Sequence, residues 1–393
     1  MKRFRSQAPS FDEIASTLVW PALLRTARLA LRPARLGLAG VLLVILGLLV
    51  HLPSLWLGAG EGPAPTLANL GSEALDRFRS GVVRLDLTLA LDALADLTLG
   101  APLQSLRNNP WSTLAIALPA LAACGVLGGA ISRLTAEEHA LFVRSPWTSG
   151  LGIALSRGVS LALVLIAPVA LLAIVCALLA GAGYLLLSFP VADVVGGVLY
   201  GGAMLVGVLV VVFGLALLLG APMLVPGVVC EGTDAIDSVQ RTIAYALTKP
   251  ARLVAYLAVL LVQLFVVVSV LEVVFGAGQR LTAATTTALI SEPRRERLER
   301  AARGEPAPPA PPRDDAAPPR VGASRFLRFW AAIPSLAIGS YVMSFWFTGG
   351  TLLYLTMRRV CDGQDAQELW RPGATPGLAS VDVEPHAESD DDD

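Results

Sequence analysis

The stretches ALRPARLGLAGVLLVI (Ala30–Ile45) and ALTKPARLVAYLAVLL (Ala246–Leu261) decide how this chain is read. Each turns from a polar phrase into an apolar run at the same four letters, PARL. Proline removes a backbone donor and clashes with the preceding turn, so Pro33 and Pro250 are expected to stop one helix and start another. Arg35 and Arg252 are then placed to snorkel to lipid phosphates while Leu36 and Leu253 enter hydrocarbon. The phrase reads as a membrane-insertion signal, used twice.

Working outward from these junctions, the apolar residues fall in blocks of about twenty or more, the length that crosses roughly 30 Å of hydrocarbon. The composition agrees: 54% of the 393 residues are hydrophobic and only 16% charged. Six spans are expected, at 36–57, 111–131, 159–179, 194–219, 253–271 and 331–357. A span must satisfy its backbone polar groups internally, and the runs lack the alternation of barrel strands, so the fold class is all-α and polytopic. Thirty-five residues precede the first run, which exceeds a signal-peptide core in length, so an uncleaved anchor is expected. All basic residues but Lys2 and Lys249 are arginines. With the high Ala, Gly and Pro content this points to a GC-rich bacterial genome.

Loop charge sets the orientation. Residues 1–35 carry seven basic residues against Asp12 and Glu13, an excess that stays cytoplasmic. The 58–110 loop, with four arginines and six acids, is then outside, and the last span returns inside at Arg358 and Arg359. The expected organisation is a cytoplasmic amphipathic segment (1–35), a five-span domain (36–275), a charged and Pro-rich connection (276–330), the sixth span and an acidic cytoplasmic tail (358–393). The 276–328 connection departs from the pattern, since it holds ten arginines against six acids on the outside. A rival threading leaves 253–271 unspanned or adds a re-entrant piece near Leu281–Ile290.

Each PARL is approached by an amphipathic stretch. In EGTDAIDSVQRTIAYALTKP, Asp234 can cap a helix with Ile236, Val239, Ile243 and Leu247 on one face, which would lie flat on the inner surface. The N-terminal stretch IASTLVWPALLRTARLALRP does the same with Pro21 inside it, and LTAEEHALFVRSPWTSGLGIALSRG reads as a third elbow before the third span. The stretches EGTDAIDSVQRTIAYALTKPARL and LLYLTMRRVCDGQD resemble a family of uncharacterised bacterial multi-span membrane proteins. They are more distantly similar to the membrane domain attached to some glycerophosphodiester phosphodiesterases. The resemblance implies a helical membrane domain and carries over no catalytic residue.

Intramembrane polarity is scarce. Gln263 is the strongly polar group near a span centre, Glu272 sits by the outer end of the same helix, and His51 lies near the outer end of the first span. Such residues are functional candidates by default, with interhelical hydrogen bonding as the plainer role for Gln263. Gly125 with Gly129, and Gly197 with Gly201, have the four-residue spacing that lets two helices approach closely in lipid. Glu137, Glu138 and His139 are read as a solvated polar face, and Cys124, Cys176, Cys230 and Cys361 as free thiols. Trp56, Trp111 and Trp330 are expected as interfacial anchors. LDRFRSGVVRLDLTLALDALADLTLG (75–100) reads as an amphipathic surface helix, 305–319 as an extended spacer and ESDDDD as a solvated end.

No catalytic, cofactor or metal constellation is read, so the expectation is a non-enzymatic integral protein of the bacterial inner membrane with both termini cytoplasmic. It would act as a scaffold, assembly or interaction module. The alternative is a permease or channel for a small or hydrophobic solute, followed by a lipid-modifying enzyme. Expected partners are membrane lipids, a protein through the 58–110 loop or the elbows, and no nucleic acid.

Overall fold

The computed structural model describes residues 20–52, 101–189, 193–288 and 323–371, with scattered positions in 71–100 and at 298 and 300. Among these residues all regular structure is helical and no strand occurs. A 3-10 turn (Trp20–Arg25) leads into α1 (Thr26–Ala30) and α2 (Pro33–His51). Then follow α3 (Ala101–Asn108), α4 (Pro110–Ala140), α5 (Trp147–Ser156), α6 (Gly158–Leu187) and α7 (Asp193–Glu231). The chain continues through α8 (Ala235–Thr248), α9 (Pro250–Thr287) and α10 (Ala323–Asp362). Six of these, α2, α4, α6, α7, α9 and α10, are long and apolar enough to cross a membrane. The molecule is therefore an all-α, multi-pass membrane protein. Residues 53–57 of the first expected span, Trp56, the 305–319 spacer and the acidic end lie outside the described residues.

Prolines begin three of the spans, because a helix's first turn has no use for the missing N–H. Pro33, Pro110 and Pro250 all sit in the first turn of their helices. Before Pro33 the chain is extended at Arg32 (φ −63°, ψ 132°), and before Pro250 it breaks at Lys249 (φ −132°, ψ 55°). The third elbow is α5, ahead of α6, while residues 134–140 belong to the preceding span helix instead. Because α9 is one continuous helix through Thr287, no re-entrant break occurs in its described part.

The helices run past the expected span ends. α7 continues twelve residues beyond Leu219, and α10 has 40 residues, about 60 Å of helix against roughly 30 Å of hydrocarbon. The core collects at the end of the bundle that carries the elbows. There Met223–Glu231 of α7, most of Leu127–Ala140 of α4 and Ser340–Arg358 of α10 are buried. The least apolar span is the innermost: α10 has mean hydropathy 1.3 and 61% of its most apolar stretch buried, while α9 has 2.7 and 6%. In lipid, apolar surface has no reason to hide, so close packing of small residues decides which helix sits centrally. A Cβ on Gly350 of α10 would lie 2.1 Å from the Pro222 carbonyl oxygen of α7, and one on Gly125 of α4 would lie 2.2 Å from that of Leu161 in α6.

The two PARL junctions do not lie at one depth. Gly40 of α2 lies against Ser340 of α10, whereas Leu260 of α9 lies against Gly349. Counting back along each helix puts Pro33 level with about residue 347 and Pro250 level with about residue 359, roughly 18 Å apart along α10. The first elbow is thus drawn into the bundle. Ser344 Oγ donates to the Ala30 carbonyl at 2.8 Å, and Gln263 Nε2 donates to the Leu24 carbonyl at 2.7 Å.

The α8 elbow packs through its small residues. Ala235, Ser238, Thr242, Tyr245 and Ala246 are buried, and Ser238 Oγ donates to the Leu224 carbonyl at 2.8 Å. Val239 and Ile243 rest against the core, while Ile236 and Leu247 stay exposed, as an interfacial helix requires. Asp234 holds the N-cap position without a side-chain capping bond.

Candidate functional site

All six spans start or finish at the elbow end, where their end turns and the elbows carry charges that the sequence places beyond the hydrocarbon. These charges meet in a buried network. Arg133 Nε donates to Glu137 Oε1 at 2.7 Å across one helical turn, and its Nη1 reaches the Val229 carbonyl at 3.1 Å and the Trp370 carbonyl at 2.8 Å. Glu231, the last residue of α7, accepts from Tyr354 of α10 and from Arg241 of α8, with the Arg358 guanidinium 3.9 Å away. Tyr245 donates to Asp362. On the opposite flank Glu138 takes Arg32 at 2.7 Å and Arg35 at 2.8 Å.

The physical logic is mutual neutralisation. Burying an ion is costly unless it is paired, and Arg35, Arg133 and Arg358 each add backbone carbonyls to a carboxylate neighbour. Burial works against the charge of Arg241, but Glu231 and the nearby tyrosines outweigh it and hold its pKa above the ordinary arginine value. Burial and the bond to Asp362 push the Tyr245 phenol above the ordinary tyrosine value.

The segment after α10 closes the network. Gly363 turns the chain with φ 70°, Arg358 Nη2 donates to the carbonyls of Asp365 (2.6 Å) and Glu368 (2.9 Å), and Trp370 N–H donates to the Cys230 carbonyl at 2.8 Å. The indole lies on Gly232, where a Cβ would come within 2.3 Å of the ring, and the Arg157 guanidinium sits 4.8 Å from the ring centroid. Gly232, at φ 65°, also ends α7 in the left-handed conformation glycine favours. Beside it, Thr233, Asp234, Asp237, Gln240 and Arg241 line a polar groove of about 480 Å³.

Several sequence expectations change here. Arg35 is 2% exposed and bonded to Glu138 and to the carbonyls of Leu29 and Leu134, so it does not snorkel to lipid phosphates. Arg252 remains exposed and free to do so. Glu137 and Glu138 are not a solvated face; α4 extends past the expected span end and turns them onto Arg133, Arg32 and Arg35. Gly125 and Gly129 meet Leu161 of α6, as close helix packing requires. Gly197 and Gly201 meet nothing within 4 Å among the described residues, so they make no close helix contact there. Gly196 and Gly207 line an apolar groove of about 760 Å³ between α6 and α7.

Gln263 is interhelical glue to the first elbow. Glu272 lies in the far half of α9, facing a cavity shared with α10. His51 ends α2 and is exposed. Trp111 and Trp330 are exposed at the ends opposite the elbows, where interfacial anchors belong. The four cysteines are free thiols. Among the described residues no three His, Cys, Asp or Glu side chains share a metal-sized site.

The sequence reading did not single out Arg133, Glu231, Arg241, Tyr354, Arg358 or Trp370 as a site. One signal was available: the EGTDAIDSVQR and LLYLTMRRVCDGQD stretches, 123 residues apart at their Glu231–Tyr354 bond, are the ones that join here. No family model, no curated protein and no solved structure matches the chain.

Proposed function

We propose that this chain is a non-enzymatic scaffold or interaction module of the bacterial inner membrane, with both termini cytoplasmic and the elbow end of the bundle facing the cytoplasm. The observation that carries the reading is the closed network at that end. Its buried arginines and glutamates pair with one another, and Arg35, Arg133 and Arg358 also with backbone carbonyls, which favours a rigid platform over a site that binds and releases a solute. Partner surfaces under this reading are the exposed Ile236 and Leu247 of α8 and the 58–110 segment. The excess of basic residues at the N-terminus and at Arg358 and Arg359 supports the orientation. A permease for a hydrophobic solute is the second reading, favoured by the cavity between α9 and α10.

Cysteine labelling in native membranes tests both points. In a background lacking Cys124, Cys176, Cys230 and Cys361, a cysteine at Arg252 should react with an impermeant thiol reagent from the cytoplasmic side only, and one at Trp111 from the outside only. A cysteine at the fully buried Thr348 should react from neither. Reaction at 348 from both sides is the signature of alternating access and would replace the scaffold with the permease; reversed sidedness at 252 and 111 would overturn the orientation.

A further inference from the structure

The turn that joins α4 to α5 holds an aromatic residue where helices ordinarily place glycine. Phe142 follows the last turn of α4 at φ 57°, in the left-handed region that costs an L-residue free energy. The ring gains no burial within the protein in return. Phe142 is 77% exposed, and Val143 and Trp147 beside it are more than half exposed. Leu141 N–H and Val143 N–H both close onto the Glu137 carbonyl, at 3.0 and 3.4 Å, and hold Phe142 between them. Strain of this kind persists where the surroundings over-determine it, and it gathers at functional positions.

The same turn is cationic. Arg144 is exposed and lies 4.0 Å from Glu138, whose carboxylate is already taken by Arg32 and Arg35. On the adjoining first elbow Arg25 and Arg28 are exposed, and Arg25 lies within electrostatic range of His139 near the end of α4. Leu24 and Leu31 are exposed beside them. The surface thus alternates aromatic and aliphatic side chains with arginines that outnumber the carboxylate of Glu138.

Its level follows from α2. That helix has 19 residues, about 28 Å, close to roughly 30 Å of hydrocarbon, so Pro33 lies near one face of the membrane. Glu138 is bonded to Arg32 and Arg35 on either side of Pro33, which brings the α4–α5 turn to that face. Rings and guanidinium groups at that level suit a lipid–water boundary, with the rings among the upper acyl chains and the cations on phosphates.

We propose that the α4–α5 turn and the first elbow form a docking surface for anionic phospholipids of the leaflet on the elbow side. Phe142, Val143 and Trp147 enter the headgroup region, and Arg25, Arg28 and Arg144 hold the phosphates. Burial of the Phe142 ring in lipid offsets the strain of its backbone. The assignment is independent of which side of the membrane the elbows face.

The test uses the full chain in nanodiscs, in the background lacking the four cysteines, with a nitroxide at Val143→Cys and, separately, at Asp237→Cys on the exposed side of α8. In equimolar phosphatidylethanolamine and phosphatidylglycerol, the label at 143 should collide more with dissolved oxygen than with a water-soluble nickel chelate, and the label at 237 the reverse. Exchanging phosphatidylglycerol for phosphatidylcholine should lower the ratio of docked to undocked label at 143 by at least about fivefold, the worth of one arginine at a charged membrane surface. Arg25→Gln/Arg28→Gln/Arg144→Gln should show the lower ratio in both bilayers while unfolding at the wild-type temperature. Phe142→Gly, with the native cysteines in place, relieves the left-handed residue and should unfold in detergent at a higher temperature than wild type. Native mass spectrometry should find that variant retaining less phosphatidylglycerol. A label at 143 as open to the nickel chelate as the one at 237 would overturn the proposal and give the face to a soluble partner. A ratio that still depends on phosphatidylglycerol in the triple variant would overturn it too, as would a Phe142→Gly protein that unfolds at a lower temperature than wild type.

Discussion

Gly350 and Gly201 lie on two of the longest helices, yet the same change at each should act in opposite directions. In Gly350→Ala the new Cβ would stand 2.1 Å from the Pro222 carbonyl oxygen, and ordinary contact begins at 3.4 Å. The obstacle is backbone, so no rotamer change relieves it and α10 must retreat from α7 by at least about 1 Å. Overpacking of this kind costs about 1–3 kcal/mol, less about 1 kcal/mol regained from alanine's better helix propensity. Gly201→Ala meets nothing within 4 Å and keeps only the propensity gain. The propensity gain is common to both, so the two variants should differ by the overpacking cost alone, about 1–3 kcal/mol, roughly 5- to 150-fold in the unfolding equilibrium. Reversible unfolding in mixed micelles by added SDS, followed by tryptophan fluorescence, measures it. Equal stability of the two variants, or a Gly201→Ala protein weaker than Gly350→Ala, would refute the assignment of α10 as the closely packed central helix.

The two PARL arginines should separate in the same assay. Arg35→Leu strips the half-buried Glu138 of one of its two close partners, leaving Arg32, and should cost about 1.5–3 kcal/mol, whereas Arg252→Leu at an exposed position should stay within about 0.5 kcal/mol of wild type. Tyr245→Phe removes the bond to Asp362 and should destabilise at neutral pH. The folded-state pKa of Tyr245 lies above its unfolded value of about 10, so its contribution is fully present below that pH and is lost as pH rises through the folded value. The stability gap between wild type and Tyr245→Phe should hold constant from about pH 7 to 9.5 and narrow above about 10; a widening gap would contradict the bond.

The spans were legible because lipid imposes a length and a hydropathy that each run reports locally. Pro33 and Pro250 were legible for a similar reason, since proline restricts its own neighbourhood. Depth was not. The letters PARL are the same at both junctions, but Gly40 against Ser340 and Leu260 against Gly349 set their levels, and those are contacts between helices far apart in sequence. The network was hidden likewise. Glu137 and Glu138 read as a solvated face, and nothing near Arg133 in the chain announces Val229 or Trp370. Gly197 and Gly201 misled because small-residue spacing permits a close approach without supplying the second helix.

Arg133 finds its last acceptor 237 residues downstream, at the Trp370 carbonyl. At a synthesis rate of about 5–20 residues per second, that is roughly 10–50 s during which α4 is already made and its buried arginine lacks that partner. Insertion of the early spans and closure of the bundle are thus separated in time. The half-built protein shows an incompletely satisfied cation at one end until the strand of chain after α10 emerges. The contact of Trp370 with Gly232 is therefore one that can form only after all six spans have been made.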